Sequence, residues 1–192
     1  YSVCPFVMAK RFYQASAPGR ICLVGEHCDY AKGMSIALPL SQKVTIKGIQ
    51  RQDHLVSFVS SLDDAFYRLD LSLDHLSFGD HLLRYSGAAV QVLREKGYTI
   101  NGADIFITSD LPLKKGLSSS AAVTVATIKI FSDMYSLGLL PEEIAELAYI
   151  AEHDILVSVD GKEEFTKRVN EDFSFTKVFN EGYHTIKAEI LV

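Results

Sequence analysis

Polar and apolar positions alternate along the first third of the chain and cluster at helical spacing further on. Arg11 to Ala17 alternates loosely, Ile21 to Val24 is a short apolar run, and Lys43 to Gln50 sets Val44 and Ile46 against Thr45 and Lys47. Residues 54–60 and 65–71 repeat the two-residue period, with Asp63-Asp64 between them as a turn signal. These stretches predict strands. From Phe78 the period changes: Phe78, Leu82, Tyr85, Ala89 and Val92 share one face of a helix that Gly97 stops. Thr99 to Ser109 is strand-like around Ile105, Phe106 and Ile107. After a loop over 110–116 comes the Ala- and Val-rich run Ala121 to Met134, closed by Gly138. Pro141-Glu142-Glu143 opens a further helix, with proline in the first turn and acids at the positive dipole end. Its stripe is Ile144, Leu147, Ala148, Ala151 and Ile155, so the helix is expected to reach Leu156. Beyond it, Val157 to Val192 shows no long helix and ends in a strand-like segment from Thr185. Strands followed by helices that pack on them predict an α+β layered domain, not an alternating βαβ sheet.

Composition narrows the class. Hydrophobic residues at 48% can offset ordering entropy, so most of the chain is expected to fold. A formal net charge of −5 argues against a nucleic-acid binder, yet leaves room for a local basic pocket. No run approaches the roughly 18 apolar residues of a membrane span. The three cysteines, Cys4, Cys22 and Cys28, form no CxxC pair and read as reduced thiols of a cytoplasmic protein. Met8-Ala9-Lys10-Arg11 reads as an ordinary cytosolic start, with residues 1–7 expected to be an upstream extension or a cloning remnant.

Two segments carry chemistry. Residues 17–30, APGRICLVGEHCDY, place Arg20 at the start of a short strand and Glu26, His27 and Asp29 after it. Carboxylates and an imidazole side by side suit a polyhydroxylated ligand, although a strand followed by a solvated polar turn has the same pattern. Residues 111–122, LPLKKGLSSSAA, lead a Gly- and Ser-containing loop into a helix N-terminus. Free N–H groups and the helix dipole favour phosphate there, Ser hydroxyls add hydrogen bonds or a Mg²⁺ ligand, and Lys114 and Lys115 add positive charge. A plain serine cap is the simpler meaning. Neither a Walker A loop nor a GxGxxG fingerprint is present.

The order and spacing of the two segments resemble the GHMP small-molecule kinases, and among them most closely the galactokinases. The resemblance covers residues 11–156 and implies a two-layer N-terminal domain of the ribosomal protein S5 domain 2-like type. Residues 157–192 are then a divergent or truncated C-terminal segment, the C-terminal domain being absent or truncated. The resemblance further implies ATP and Mg²⁺ as cofactors and a small-molecule sugar as substrate, with no nucleic-acid or membrane partner. The γ-phosphoryl group would pass to a sugar hydroxyl, the anomeric one of galactose. By the same resemblance, Arg20 stabilises charge at the reacting groups and Glu26, His27 and Asp29 contact sugar hydroxyls. Lys114, Lys115, Gly116, Leu117, Ser118, Ser119 and Ser120 wrap the phosphates, and Ser120 and Glu152 approach the metal. Positioning and charge neutralisation are what such a transfer needs.

Three departures qualify the resemblance. Leu113, Lys114 and Lys115 stand where relatives carry extra glycines, so either the loop backbone is altered or lysine charge replaces backbone contacts; ordinary solvated lysines are the alternative. Ala151-Glu152-His153 is not followed by the Cys- and Gly-containing segment that ends in a catalytic Asp, which leaves Asp160 as the nearest candidate base or as a plain turn residue before Gly161. The Gly-rich third motif is also missing. The alternatives are a catalytically weak sugar- and ATP-binding sensor, or a kinase for another sugar or for mevalonate. His54, His75, His81 and His184 lack metal-ligand spacing and read as surface or satisfied histidines.

Overall fold

The structure, a computed structural model, describes residues 11–25, 34–61, 66–73, 83–112 and 117–152, and the backbone of 154–159, 162–168 and 186–190. Strands β1 (Phe12–Val24), β2 (Ile36–Gln50), β3 (Leu55–Ser60), β4 (Phe66–Asp70) and β5 (Ala103–Ser109) form one sheet in the order β1-β2-β5-β3-β4. All neighbours run antiparallel except β3 and β5, which are parallel. The helices are α1 (Leu83–Glu95), α2 (Ser119–Tyr135) and α3 (Pro141–Glu152). Helix α2 packs on β1 and β2 and against both other helices. The two-layer α+β expectation therefore holds, with one parallel pair that an all-hairpin reading does not contain.

Between the layers, Ala15, Ala17, Val44, Ile46, Phe58 and Ile107 from the sheet are buried, as are Val92, Val123, Ile130 and Phe131 from the helices. Helix α2 is apolar around most of its circumference, so it is the central helix and not an amphipathic surface one. Its polar side chains are satisfied locally. The Thr127 hydroxyl donates to the Val123 carbonyl at 2.8 Å and lies 3.0 Å from Ser86 Oγ on α1.

Several boundaries differ from the sequence expectation for physical reasons. β1 continues through Pro18-Gly19 instead of splitting into two runs. Among the described residues its only sheet neighbour is β2, and an edge strand tolerates a residue without an N–H; the ladder shifts register between Pro18 and Arg20. Helix α2 ends at Ser136, which takes the left-handed conformation (φ 54°), two residues before Gly138. Helix α3 stops at Glu152 and not Leu156. The apolar, largely β-branched run from Ile155 to Val159 enters strand β6 (Asp154–Val159) instead. β6 pairs with β7 (Lys162–Arg168) and β8 (Ile186–Ile190), the latter inside the strand-like segment expected from Thr185. The start of α3 follows its sequence signal: Glu143 reaches back to accept the Leu140 N–H at 2.7 Å.

At the sheet end where β2 leads into β3, Arg51 donates to Asp53 at 2.8 Å and to Asp104 on β5 at 2.9 Å. The hydrogen bond from Arg51 holds the Asp53 carboxyl at about 2, below the ordinary carboxylate range. A carboxyl whose folded value is depressed binds protons more readily in the unfolded chain. Its contribution is full above about pH 4 and is lost as the pH falls through about 2. Thermal unfolding of the wild type between pH 5 and 2 is therefore expected to fall more steeply than that of Asp53→Asn. Parallel curves would show that this cluster does not contribute to acid sensitivity.

Candidate functional site

The two chemically loaded segments meet at one end of the sheet. Strand β1 delivers Gly19 and Arg20 to the turn that enters α2, although the two segments lie about a hundred residues apart in sequence. The Arg20 backbone N–H donates to the Leu117 carbonyl at 3.2 Å. The Arg20 side chain donates through Nε to Ser118 Oγ at 2.8 Å, a contact spanning 98 positions. Gly19 makes this approach possible. A Cβ there would lie 2.8 Å from the Leu117 carbonyl oxygen and would overlap the Leu111 side chain. Leu111 is itself buried, and its N–H is held by Ser109 Oγ at 2.9 Å as the chain leaves β5.

Helix α2 begins in an unusual way. Its N-cap, Ser118, has φ 54° and ψ 44°, and its hydroxyl makes no capping bond to the first turn. An N-cap serine ordinarily has extended backbone and spends its oxygen on an N–H two or three residues on. Here the oxygen accepts from Arg20 instead. The first N–H groups of the helix, which have no intrahelical partner, are thus not consumed by the cap. No acidic side chain sits in the first turn to offset the dipole, so the end of α2 keeps its partial positive charge beside a guanidinium.

The remaining predicted positions divide clearly. Ser119 and Ser120 open α2, half-buried, and the Ser120 carbonyl takes the Thr124 hydroxyl at 3.0 Å. Glu152 ends α3, which packs against α2. One carboxylate oxygen of Glu152 is shielded from solvent. A hydroxyl and a carboxylate are hard oxygen donors of the kind Mg²⁺ takes, with phosphate oxygens and water completing its shell. Glu26, His27, Asp29, Lys114, Lys115, Gly116 and Asp160 lie outside the described residues.

Sequence reasoning missed two participants, Gly19 and Leu111, and the conformation of a third residue, Ser118, that it had named. Gly19 was visible only as part of a motif, and its role depends on the packing of Leu111, a residue no pattern singles out. The left-handed conformation of Ser118 has no sequence signal, because serine is not the residue that such a conformation selects.

Comparison with known proteins places both segments within matched regions. The model of the GHMP kinases N terminal domain matches residues 84–162, and that of the galactokinase galactose-binding signature matches residues 6–48. The galactokinase of Roseiflexus sp. is 34% identical over 155 residues, which are 80% of this chain and 37% of that protein. The galactokinase of Streptomyces coelicolor is 33% identical, over 72% of this chain and 36% of its own length. Among solved structures, Lactococcus lactis galactokinase complexed with galactose is similar at a TM-score of 0.69 and 26% identity, over 77% of this chain and 39% of that one. The Methanococcus jannaschii mevalonate kinase is similar at 0.63 and 27%, over 75% and 46%. The chain thus spans little more than a third of the length of the galactokinases it matches.

Gly19→Ala tests the approach of the two segments. Overpacking against a backbone carbonyl is expected to lower stability by about 1–3 kcal/mol, read as a lower midpoint in urea unfolding. An unchanged midpoint would mean that β1 and the loop can separate freely.

Proposed function

We propose that the chain, which matches the models of the GHMP kinases N terminal domain and of the galactokinase galactose-binding signature and is similar to galactokinases, forms the sugar- and ATP-contacting portion of an ATP-dependent sugar kinase. In this reading residues 11–156 are the N-terminal domain, and residues 157–192 follow it as a divergent segment. The reaction is transfer of the γ-phosphoryl group of ATP to a sugar hydroxyl, the anomeric hydroxyl of galactose.

The observation that supports this reading most is the contact of Arg20 with Leu117 and Ser118. It sets a cation at the edge of a helix N-terminus whose amide groups face an anion-favouring dipole. Arg20 neutralises charge that builds on the phosphoryl oxygens, a task that suits a guanidinium with several donors and a permanent charge. The N–H groups at the start of α2, with Ser119 and Lys114 to Leu117, hold the ATP phosphates. Ser120 and Glu152 hold Mg²⁺, which screens phosphate charge when bound. Glu26, His27 and Asp29, which follow β1 in sequence, exchange hydrogen bonds with sugar hydroxyls. Asp160 takes the proton of the reacting hydroxyl. No helix among the described residues is long and apolar enough to cross a membrane, and the proposed substrates are cytoplasmic small molecules.

The test combines binding with turnover. Galactose and a non-hydrolysable ATP analogue with Mg²⁺ are each expected to raise the melting temperature of the chain, as any ligand of the folded state does. Galactose-dependent ADP release is expected to fall at least a hundredfold in Arg20→Ala. Ligand-induced stabilisation without turnover, in the full-length protein as well, would favour a sugar- and nucleotide-binding sensor. Stabilisation by mevalonate or another sugar, and none by galactose, would refute the galactose assignment.

A further inference from the structure

Ser118 presents a problem that its place in a phosphate-binding turn does not solve. Its backbone is left-handed at φ 54°, a region that non-glycine residues enter at a cost. The other non-glycine residue of this kind among those described, Ser136, ends α2, where left-handed backbone is the ordinary way for a helix to stop. Ser118 begins the same helix, where extended backbone is the rule. Glycine would adopt this conformation without cost, and a capping role would explain serine, but the hydroxyl makes no capping bond. What the hydroxyl does is accept Nε–H of Arg20 at 2.8 Å, while the preceding carbonyl, that of Leu117, accepts the Arg20 backbone N–H at 3.2 Å.

We propose that Ser118 is a positioning residue for Arg20: its left-handed backbone carries the hydroxyl to Nε and fixes the guanidinium beside the N-terminus of α2. Arg20 is exposed and has a long, rotamer-rich side chain, so without this bond its head group would sample many positions. Binding through Nε leaves both terminal amino groups, four N–H donors, for an anion. The Ser118 oxygen accepts in this bond, so its own proton remains available to a phosphate oxygen. The same hydroxyl thus orients the cation and retains a donor toward the anion. The functional half of this inference rests on the proposed kinase reading; the contact itself does not.

The experiment uses two substitutions in the 192-residue chain. Ser118→Gly keeps the left-handed conformation and removes the hydroxyl, so its melting temperature is expected to equal or exceed that of the wild type. Ser118→Asn supplies an oxygen acceptor on a residue that tolerates the same conformation. The Arg20 Nε–H signal, assigned by its loss in Arg20→Lys, is followed by NMR at pH 6. Its solvent exchange is expected to quicken at least tenfold in Ser118→Gly and to recover in part in Ser118→Asn. In the phosphorylation assay, Ser118→Gly is expected to lower kcat tenfold or more with little change in KM for ATP, and Ser118→Asn to restore part of it. Unchanged Nε–H exchange in Ser118→Gly overturns the proposal, as does a rise in KM with unchanged kcat, which marks a phosphate ligand only. If the full-length wild type shows no galactose-dependent turnover, the kinase reading fails, and the exchange measurement still decides the positioning.

Discussion

The site depends on how closely one strand can approach one turn. At Gly19 the backbone of β1 comes against the Leu117 carbonyl with no room for a side chain, and the next residue bonds to that carbonyl. Everything proposed for the site follows from that distance. The strand carries the cation; the turn carries the helix amides and serines. With the two held together, charge from an arginine and charge from a helix dipole act on the same small volume. The two-layer architecture supports this arrangement from behind. Helix α2 lies across β1 and β2, so its N-terminus is fixed relative to the strand by the buried core and not by the loop alone.

Much of this was legible in the sequence, because the relevant signals are local. Alternation marked β2 to β4, the acid-rich first turn marked α3, and the two motifs marked the residues that meet. The elements misread were those where tertiary context overrides a local rule. Pro18-Gly19 separates two apolar runs in sequence, yet β1 continues through them as an edge strand, with a register shift in its ladder there. The apolar stripe of α3 continues in sequence to Ile155, yet the backbone has already turned extended at Asp154. The parallel pairing of β3 with β5 was also hidden, since no periodicity distinguishes a parallel neighbour from an antiparallel one.

Within the site, residue identity was legible and geometry was not. The serine triplet pointed to a helix start, and it is one. That the first serine turns away from the helix to meet an arginine 98 positions earlier needed coordinates. The same limit holds for Leu111, an unremarkable apolar residue in sequence whose burial against Gly19 sets how far the strand can advance.

The strand order carries a consequence for how the chain is made. β5 sits in the middle of the sheet, between β2 and β3, but β2 ends at Gln50 and β5 begins only at Ala103. On a ribosome adding about 5–20 residues per second, two hairpins therefore emerge and wait several seconds for the strand that joins them. Through that interval the inner edges of β2 and β3 are open ladders of N–H and C=O groups, the kind of template that recruits a neighbouring chain. The vulnerable period for this protein is its synthesis: the most protected strand of the finished sheet is the last of the five to arrive.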